Sequence, residues 1–339
     1  KLRNRFRGHI KNKELFNLIK KIEKHSPFEK KLINNGIDLV YFLSPIGLHQ
    51  SLEELNYIST LWDLCHRDEP EFPEVRNNKE FERREEFYKN TLPKATAILV
   101  DSELGKINAA QCYGITLQRL HVFPFQPAKV LRDSINRDFG KRLNILQKFN
   151  IDKYVFYPAQ FWAHKNHVYI LKGLSLLEQK YGLKISVIFS GVDKGNKKYI
   201  ENYSRKLKIE ERVCYAGFVS DNEMIELYRQ SLALVMPSYF GTTNIPPLEA
   251  FQLGTPVLYP NKIGLKEQVG DAALLMDLKD PNSLASHLKD LCENKQKREQ
   301  LISAGYERLK YFDKYDHIKI LKNIVKEFSW KRNCWAKKN

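Results

Sequence analysis

The chain has 339 residues, of which 42% are hydrophobic and 12% aromatic, as is typical of a globular protein with room for two domains. No stretch approaches the roughly eighteen apolar residues of a membrane span, and the basic N-terminal residues lack the apolar block of a signal peptide. Lysine and arginine (56) outnumber aspartate and glutamate (40), which gives a formal net charge of +16.

The excess positive charge is concentrated at the two ends of the chain. Such clusters bind anionic lipid, nucleic acid or a phosphate-bearing substrate, whereas the plain alternative is a set of solvated, lysine-rich helix faces. Both interpretations stay open. Among the partners, lipid is favoured over nucleic acid because the sequence has no basic motif interleaved with aromatic residues. Five dispersed cysteines without metal-ligand spacing indicate free thiols in a reducing cytosol.

The first 150 residues have a weaker pattern than the rest. Residues 1–36 are charged and helical, residues 79–90 form a second charged helix, and residues 125–150 suit a basic connection with a lead-in helix. Short apolar runs predict four strands, at residues 38–43, 57–61, 97–100 and 121–124.

From residue 150 onwards, strands and helices alternate regularly. Six apolar runs predict strands at residues 154–157, 185–189, 213–215, 232–236, 256–259 and 273–276. Amphipathic stretches between them predict helices at residues 166–179, 197–207, 222–230, 247–253 and 283–292. This alternation indicates parallel strands joined by right-handed crossovers, and therefore a Rossmann-like α/β domain. A last helix is expected at residues 316–328.

The most informative segment runs from residue 236 to residue 260. It predicts a buried strand, a turn-rich loop, a short helix and a second buried strand. The loop ends in Gly-Thr-Thr-Asn at residues 241–244, just before the pair Pro246-Pro247 at the helix start. A helix start attracts anions through its free N–H groups and its dipole, and Glu249 is placed to accept hydrogen bonds from sugar hydroxyls. The segment therefore predicts a site for a sugar attached to phosphates.

The form F-G-T-T-N-I-P-P-L-E-A resembles the donor-site signature of the family-4 glycosyltransferases, retaining enzymes of the GT-B fold, in the group with the motif F-G-x-T-N-I-P-P-L-E-A. The resemblance implies that Glu249 binds the ribose hydroxyls of the nucleotide. The usual first Glu of the signature falls on Gly241, so one contact to a donor-sugar hydroxyl is expected to be lost. The backbone N–H groups implied to hold the diphosphate and the sugar are those of Thr242, Thr243, Asn244 and Ile245.

The same resemblance implies an α/β architecture in which two Rossmann-like domains face each other across a cleft. We expect an acceptor-side domain over residues 1–128, a nucleotide-sugar domain over residues 150–314, and a final helix within residues 315–339 that packs back on the first domain. Nothing like the family's opening strand and Gly-rich loop precedes Asp38. The first domain is therefore expected to be abbreviated or truncated.

Residues 157–167 lie where the first strand of the second domain meets its helix, at the edge where doubly wound sheets bind ligands. The segment resembles the family's G-R-x-x-x-x-K, in which the Arg and the Lys hold the donor diphosphate. Lys165 matches the Lys, whereas Gln160 stands in place of the Arg. His164, Asn166 or backbone groups are expected to compensate. A lysine at a helix start is unfavourable unless an anion sits there, which argues against a merely solvated side chain.

Two further segments of the second domain are candidate donor contacts. Gly191 ends a predicted strand and lets a ligand approach the backbone. Phe218 and Val219 follow the next strand and resemble the family's segment beside the nucleotide base, which they would flank. The alternative is that Phe218 belongs to the core.

Residues 61–73 resemble the family segment H-D-L-x-H-R-x-x-P-E-F and follow a strand that should face the cleft. Asp63, His66 and Arg67 match it, whereas Trp62 replaces a His that lies near the transferred sugar in relatives. Asp63 and His66 are candidate catalytic residues, and Trp62 and Arg67 are candidate acceptor contacts. A purely structural role of His66 stays open. Residues 101–103 resemble a D-S-E segment, with a helix N-cap as the equal alternative.

The resemblance implies a cytoplasmic hexosyltransferase, peripheral at the inner face of the membrane, that moves a sugar from a nucleoside diphosphate to a glycan or lipid-linked glycan of a surface polysaccharide. GDP-mannose is the first expectation for the donor and a UDP-sugar the second, with no metal and no cofactor. Lys165 and helix-start amides would stabilise the departing diphosphate. Catalysis is assigned to Lys165, Glu249, His66 and Asp63.

Three alternatives stay open beside this reading. The departures from the family pattern at Gln160, Gly241 and Trp62 motivate a binding or scaffold protein that keeps the fold without catalysis. The basic ends motivate a nucleic-acid-binding protein. A sugar phosphorylase of similar fold has less support, because no lysine context for pyridoxal phosphate is apparent.

Overall fold

A computed structural model describes residues 26–133 and 143–336 of the chain. These residues form two α/β domains, each built around one parallel sheet, and the ten predicted strands are all present. The predicted two-domain architecture is thus confirmed. Of the helix expected over residues 1–36, the described part contains Pro27–Asn34. Within the described ranges, no helix combines the length and the apolar character that crossing a bilayer requires.

The first domain contains a four-stranded sheet in the order β1-β2-β3-β4. Its strands are β1 (Leu39–Tyr41), β2 (Asn56–Leu61), β3 (Ala97–Val100) and β4 (Leu120–Val122). Its helices are α1 (Pro27–Asn34), α2 (Cys65–Asp68), α3 (Pro73–Arg76), α4 (Glu80–Thr91) and α5 (Glu103–Tyr113). Strand β3 is buried along its whole length, as expected where a parallel sheet is covered on both faces.

The second domain contains a six-stranded sheet in the order β10-β9-β8-β5-β6-β7. Its strands are β5 (Tyr154–Pro158), β6 (Ser186–Ser190), β7 (Val213–Gly217), β8 (Leu234–Val235), β9 (Val257–Pro260) and β10 (Ala273–Met276). The α-helices from the interdomain connection onwards are α6 (Lys129–Asp133), α7 (Ile145–Phe149), α8 (His167–Tyr181), α9 (Lys197–Lys206), α10 (Asp221–Arg229), α11 (Ile245–Gln252), α12 (Leu265–Val269), α13 (Pro281–Glu293) and α14 (Lys295–Phe312).

The strand order of the second domain reverses at β5, which pairs with both β6 and β8. The connections that follow the neighbouring strands β5 and β8 therefore run to opposite faces of the sheet. A crevice opens between them at the carboxyl ends of the two strands, where open α/β sheets bind ligands. The loop after β5 contains the predicted residues 160–166, and the loop after β8 contains residues 241–244. The topology therefore brings these two predicted segments to one edge of the sheet.

The last helix, α15 (His317–Arg332), returns to the first domain. Ile324 is 4% exposed and forms a small apolar cluster with Ile58, Ala97 and Leu99 of β2 and β3. At the far end of the helix, Arg332 donates a hydrogen bond of 3.0 Å from Nε to Asp38 Oδ1. Helix α15 thus covers one face of the first sheet.

We expect Ile324→Ala to lower the free energy of unfolding by about 2–5 kcal/mol, because it leaves a cavity between α15 and the first sheet. The matched control is Val325→Ala. Val325 is the next residue of the same helix and is 46% exposed, so its truncation should change stability by less than about 0.5 kcal/mol. Chemical unfolding of both variants measures the difference, and equal losses would contradict the packing of α15 on the sheet.

Candidate functional site

A cavity of about 1050 Å³ lies between the two domains. This volume is at the upper end of the range for small-molecule sites. The first domain lines it with residues that follow β2 and with residues of α3 and α4. The second domain lines it with the loops that follow β5, β6 and β8. The cavity therefore occupies the crevice that the strand order predicts.

The carboxylate of Asp101 joins the two domains beside this cavity. Thr242 and Thr243, from the loop after β8, each donate a hydroxyl hydrogen bond of 2.6 Å to Asp101 Oδ2. Ser102 donates to Asp101 Oδ1 at 3.0 Å and also caps α5 by accepting from the N–H of Gly105. Burial raises the pKa of Asp101, while the three hydroxyl donors lower it. The N-cap that the sequence offered as an alternative is present at Ser102. Asp101 holds the loop after β8 in place.

A second pair of contacts fixes the same loop. The N–H of Gly241 lies 2.9 Å from the sulfur of Cys65 in α2. Burial raises the pKa of the Cys65 thiol, so this sulfur stays protonated and unreactive at neutral pH. Lys262, which follows β9, donates to Glu69 of the first domain and, at 2.8 Å, to the carbonyl of Tyr239.

Glu74 and His164 form a further bridge across the cavity. Glu74 Oε1 accepts the backbone N–H of His164 at 2.9 Å and lies 2.6 Å from its ring Nδ1. The ring stacks on Phe240 with a centroid distance of 4.0 Å. Burial lowers the pKa of His164 more than Glu74 raises it, so the ring is neutral at pH 7. Because the carboxylate can only accept, Nδ1 carries the proton and Nε2 is left as an acceptor.

Lys165 lies on the second domain's wall of the cavity, at the end of a 3₁₀ turn, Ala163–Lys165. Tyr157 fixes this turn by donating its hydroxyl to the carbonyl of Lys165 at 3.0 Å. Burial lowers the pKa of the Lys165 ammonium, and within residues 26–133 and 143–336 no carboxylate lies within ion-pair distance of it. A half-buried cation without an ion-pair partner favours an anionic ligand.

The start of α11 offers fewer donors than the sequence predicts. The N–H of Asn244 donates to Gln268 Oε1 at 2.9 Å, and Gln268 returns a bond to the Asn244 carbonyl. The prediction that the Asn244 amide is free for a diphosphate is therefore wrong in this arrangement. Pro246 and Pro247 have no N–H at all. Gly241, Thr243, Asn244 and Ile245 line the cavity, whereas Thr242 is buried against Asp101.

Glu249 lies one turn into α11, with Tyr228 donating its hydroxyl to Oε2 at 2.9 Å. Burial raises the pKa of Glu249, and the Tyr228 hydrogen bond opposes this shift. Glu249 itself is not among the cavity-lining residues. Ile245 does line the cavity, and residues four apart share one face of a helix. The carboxylate therefore lies on the helix face that continues from the cavity.

The remaining predicted donor-side residues are not among those that line the cavity. This group consists of Gln160, Asn166, Gly191, Phe218 and Val219. Phe218 is 93% exposed, so the alternative that it belongs to the core is wrong. A Cβ at Gly191 would lie 2.3 Å from the carbonyl oxygen of Ala159, so the loops after β5 and β6 approach too closely for a side chain there.

On the first domain's wall, Trp62 and Asp63 line the cavity, and Trp62 is 46% exposed. Arg84 of α4 lies with its Nη1 3.6 Å from Asp63 Oδ1 and with its Nε 2.8 Å from Glu80 Oε1. Neither Arg84 nor Glu80 was predicted as a site residue, because helix 79–90 gave only a charged pattern. Glu74 was missed too, although it directly follows the segment 61–73 that resembles the family.

His66 and Arg67 do not reach the cavity. The His66 side chain is fully buried and its Nε2 lies 2.8 Å from Glu85 Oε1. Arg67 donates to the same carboxylate, at 2.7 Å from Nε, and Tyr113 donates to it at 2.8 Å. The structure therefore contradicts a direct catalytic role of His66 and an acceptor contact of Arg67. Both side chains instead hold α2 against α4.

The described residues contain no group of three or more His, Cys, Asp or Glu side chains that could hold a metal ion.

Comparison with known proteins finds a matching family model and several similar sequences. Residues 140–308 match the family model described as "Glycosyl transferases group 1". O-antigen chain mannosyltransferase B of Escherichia coli is 28% identical over 182 residues, which are 53% of this chain and 48% of that protein. O-antigen chain mannosyltransferase RfbU of Salmonella typhimurium is 25% identical over 231 residues, 67% of this chain and 58% of that protein. These matches support a glycosyltransferase family.

Solved structures show the same fold at low sequence identity. Sucrose-phosphate synthase from Thermosynechococcus elongatus superposes with a TM-score of 0.67 at 18% identity, covering 96% of this chain and 81% of that structure. The Anabaena HepE protein in complex with UDP gives 0.65 at 15% identity, covering 90% and 82%. The fold is therefore GT-B. The chain spans about half the length of the curated relatives it matches.

We expect Glu74→Ala to destabilise the protein by about 1–3 kcal/mol, because it leaves the His164 N–H groups without their acceptor. Burial raises the pKa of Glu74, but the hydrogen bonds that its carboxylate accepts, chiefly from His164, together outweigh burial and hold this pKa below its usual range. The stabilisation is therefore present at neutral pH and is lost as the pH falls below about 4. Unfolding midpoints of wild type and variant at pH 7 and pH 3.5 measure it.

The control for this prediction is Glu71→Ala, three residues earlier in an exposed position. This variant should unfold like the wild type at both pH values. A Glu74→Ala effect that is the same size at pH 3.5 as at pH 7 would contradict the assigned hydrogen bonds to an ionised Glu74.

Proposed function

We propose that the protein is a retaining hexosyltransferase that transfers a sugar from a nucleoside-diphosphate donor to a hydroxyl of a glycan or lipid-linked glycan. The observation that carries this proposal is Lys165, a half-buried ammonium on the cavity wall without a carboxylate partner among the described residues. It lies at the carboxyl end of β5, where doubly wound sheets bind nucleotides. The glycosyltransferase family match over residues 140–308 supports the same reaction class.

The donor proposed first is GDP-mannose. Two relatives named as O-antigen mannosyltransferases favour mannose. A UDP-sugar is the second proposal, supported by the solved Anabaena HepE structures in complex with UDP and UDP-glucose. In either case Glu249, one helical turn from the cavity-lining Ile245, would accept hydrogen bonds from the ribose hydroxyls.

The proposed step breaks the bond between the sugar C1 and the diphosphate oxygen and forms a bond from C1 to the acceptor oxygen on the same face. The acceptor hydroxyl gives its proton to the departing phosphate oxygen. Lys165 stabilises the negative charge that builds on this diphosphate, which is electrostatic catalysis at the leaving group. We propose that this charge stabilisation needs no metal ion and no further cofactor, so that transfer continues in the presence of EDTA.

The acceptor side is assigned to the first domain's wall. Trp62 offers a half-exposed aromatic surface to the cavity, and Asp63 and Arg84 place a carboxylate and a guanidinium beside it. Sugar rings pack their apolar faces on aromatic side chains, while their hydroxyls bond to charged groups. This wall therefore suits a glycan, in agreement with relatives named for O-antigen chain synthesis.

Nucleotide binding tests the proposal. We expect GDP or UDP to raise the melting temperature of the wild type, since a ligand that binds the native state stabilises it. Lys165→Ala should weaken nucleoside-diphosphate binding by about 10- to 100-fold, the loss of a charge-assisted contact. Glu249→Ala should remove the preference of the wild type for GDP over 2′,3′-dideoxy-GDP. Calorimetric titration measures both effects.

A transfer assay then separates catalysis from binding. Release of nucleoside diphosphate from GDP-mannose or a UDP-sugar in the presence of acceptor would support the enzyme. Binding without turnover by any donor would instead favour a scaffold protein. Turnover that Glu249→Ala and Lys165→Ala leave unchanged would contradict the assigned site.

We also propose a peripheral contact with anionic membrane, mediated by the outer face of α15. Lys319, Lys322, Lys326 and Trp330 lie at helical spacing on the side opposite the buried Ile324. Trp330 is 62% exposed and the Lys326 ammonium lies 5.1 Å from its ring centroid. Lysines around an exposed tryptophan are typical of helices that lie in the membrane interface.

We expect the protein to sediment with vesicles containing anionic lipid but not with purely zwitterionic vesicles, and to dissociate as salt increases. Replacing Lys319, Lys322 and Lys326 by Gln should reduce this binding strongly. The matched control replaces three exposed lysines of the second domain, Lys180, Lys198 and Lys206. If both triple variants lose binding equally, the contact is unspecific and the assignment to α15 is wrong.

A further inference from the structure

The loop after β6 forms part of the cavity wall, although the sequence analysis singled out only its first residue, Gly191. Lys194, Gly195 and Asn196 line the cavity. Asp193 fixes the loop by accepting the N–H groups of Gly195 at 2.8 Å and Lys197 at 3.2 Å. The backbone also pairs with the neighbouring loop after β5, through a bridge between Phe161 and Asp193. The loop is thus held in a defined position against the residues that precede Lys165.

The indole of Trp162 connects these two loops. Its Nε1–H donates to Gln160 Oε1 at 2.9 Å, which orients the ring. The Lys194 ammonium lies 5.6 Å from the ring centroid, within the range of a cation–π contact. Gln160, which stands where the related motif has Arg, therefore does not contribute charge itself. It orients an aromatic surface on which a lysine from the next loop rests.

The charges around the cavity show which cations are available to a ligand. Arg84 is paired with Asp63 and Glu80, and His164 is bound to Glu74. Lys165 and Lys194 have no ion-pair partner in the part of the chain that the structure describes. Both belong to the second domain, in loops that follow the adjacent strands β5 and β6. This wall therefore presents two cations without a carboxylate partner among the described residues, which suits the two charged phosphates of a diphosphate.

We propose that Lys194 is the second diphosphate-binding cation of the site, with Trp162 and Gln160 as the residues that position it. The proposal rests on the proposed function, because it assumes a nucleoside-diphosphate ligand. Lys165 and Lys194 together replace the bidentate clamp that an arginine at position 160 would form. Because Lys194 is solvent-exposed before binding, its contribution depends on ionic strength more than that of the half-buried Lys165.

Calorimetric titration of the full chain with GDP and GMP, or with UDP and UMP if uridine nucleotides bind more tightly, tests the assignment. Lys194→Met should raise the Kd for the diphosphate about tenfold and that for the monophosphate by less than about threefold. Lys194→Arg keeps the charge and should stay close to the wild type. The matched control is Lys198→Met, an exposed lysine of α9 that does not line the cavity.

A double-mutant cycle tests the positioning role of Trp162. If the indole acts through Lys194, then Trp162→Leu weakens diphosphate binding, and the double variant with Lys194→Met is no weaker than the single lysine variant. Losses that add fully would overturn this part of the proposal.

The outcomes separate the two proposals. Diphosphate binding that Lys165→Ala weakens and Lys194→Met leaves unchanged overturns the role of Lys194 and leaves the proposed function intact. A wild-type chain that binds no nucleoside diphosphate overturns the proposed function, and the role of Lys194 with it. Equal weakening of diphosphate and monophosphate by Lys194→Met also overturns the assignment to the second phosphate.

Discussion

The buried carboxylate of Asp101 is the contact on which the shape of the site depends. A buried carboxylate is costly unless donors surround it, and its own domain supplies the Ser102 hydroxyl while the other two donors, Thr242 and Thr243, come from the facing domain. Gly105 makes room for it, since a Cβ there would lie 2.7 Å from Asp101 Oδ1. The loop after β8 is thereby fixed against the first domain. Because that loop also lines the cavity, this polar cluster joins the two domains and shapes the cavity at the same time.

The electrostatics of the cavity follow from which of its charges are already satisfied within the protein. On the first domain's wall, the cation Arg84 is already paired with Asp63 and Glu80, and Arg83 also binds Glu80. The helix start at Ile245 contributes little, since two prolines follow it and Gln268 occupies the Asn244 amide. An anion in this cavity would therefore be attracted mainly by lysine side chains and only weakly by backbone amides. Under the proposed function, such a site would hold phosphate through lysine point charges, whose contribution falls with salt more steeply than that of a backbone cradle.

The sequence was sufficient to predict the strands and the edge of the sheet that carries the site, because buried parallel strands leave short apolar runs and place following loops together. It also singled out Lys165, Asp63 and Trp62, all of which line the cavity: Trp62 and Asp63 follow β2 directly, and Lys165 lies in the connection after β5. The sequence could not show which side chains of the short helix α2 face the cavity. His66 carries the expected motif, yet its ring turns away from the cavity towards Glu85, nineteen residues later on a helix whose charges had suggested only solvation. Conversely, the sequence did not single out Glu74, which does line the cavity. Its role depends on His164, ninety residues later in the other domain.

The bridge from Glu74 to His164 links the arrangement of the domains to the charge at the centre of the site. One carboxylate oxygen binds both the backbone and the ring of His164, so it fixes the chain at the residue that immediately precedes Lys165. From the other side, the hydroxyl of Tyr157 holds the Lys165 carbonyl. The backbone of this turn is therefore determined by contacts from both domains. If the domains separated, the turn would lose one of its two anchors, and the ammonium would no longer be held where the strand end presents it. The backbone position of Lys165 therefore depends on the contact between the two domains.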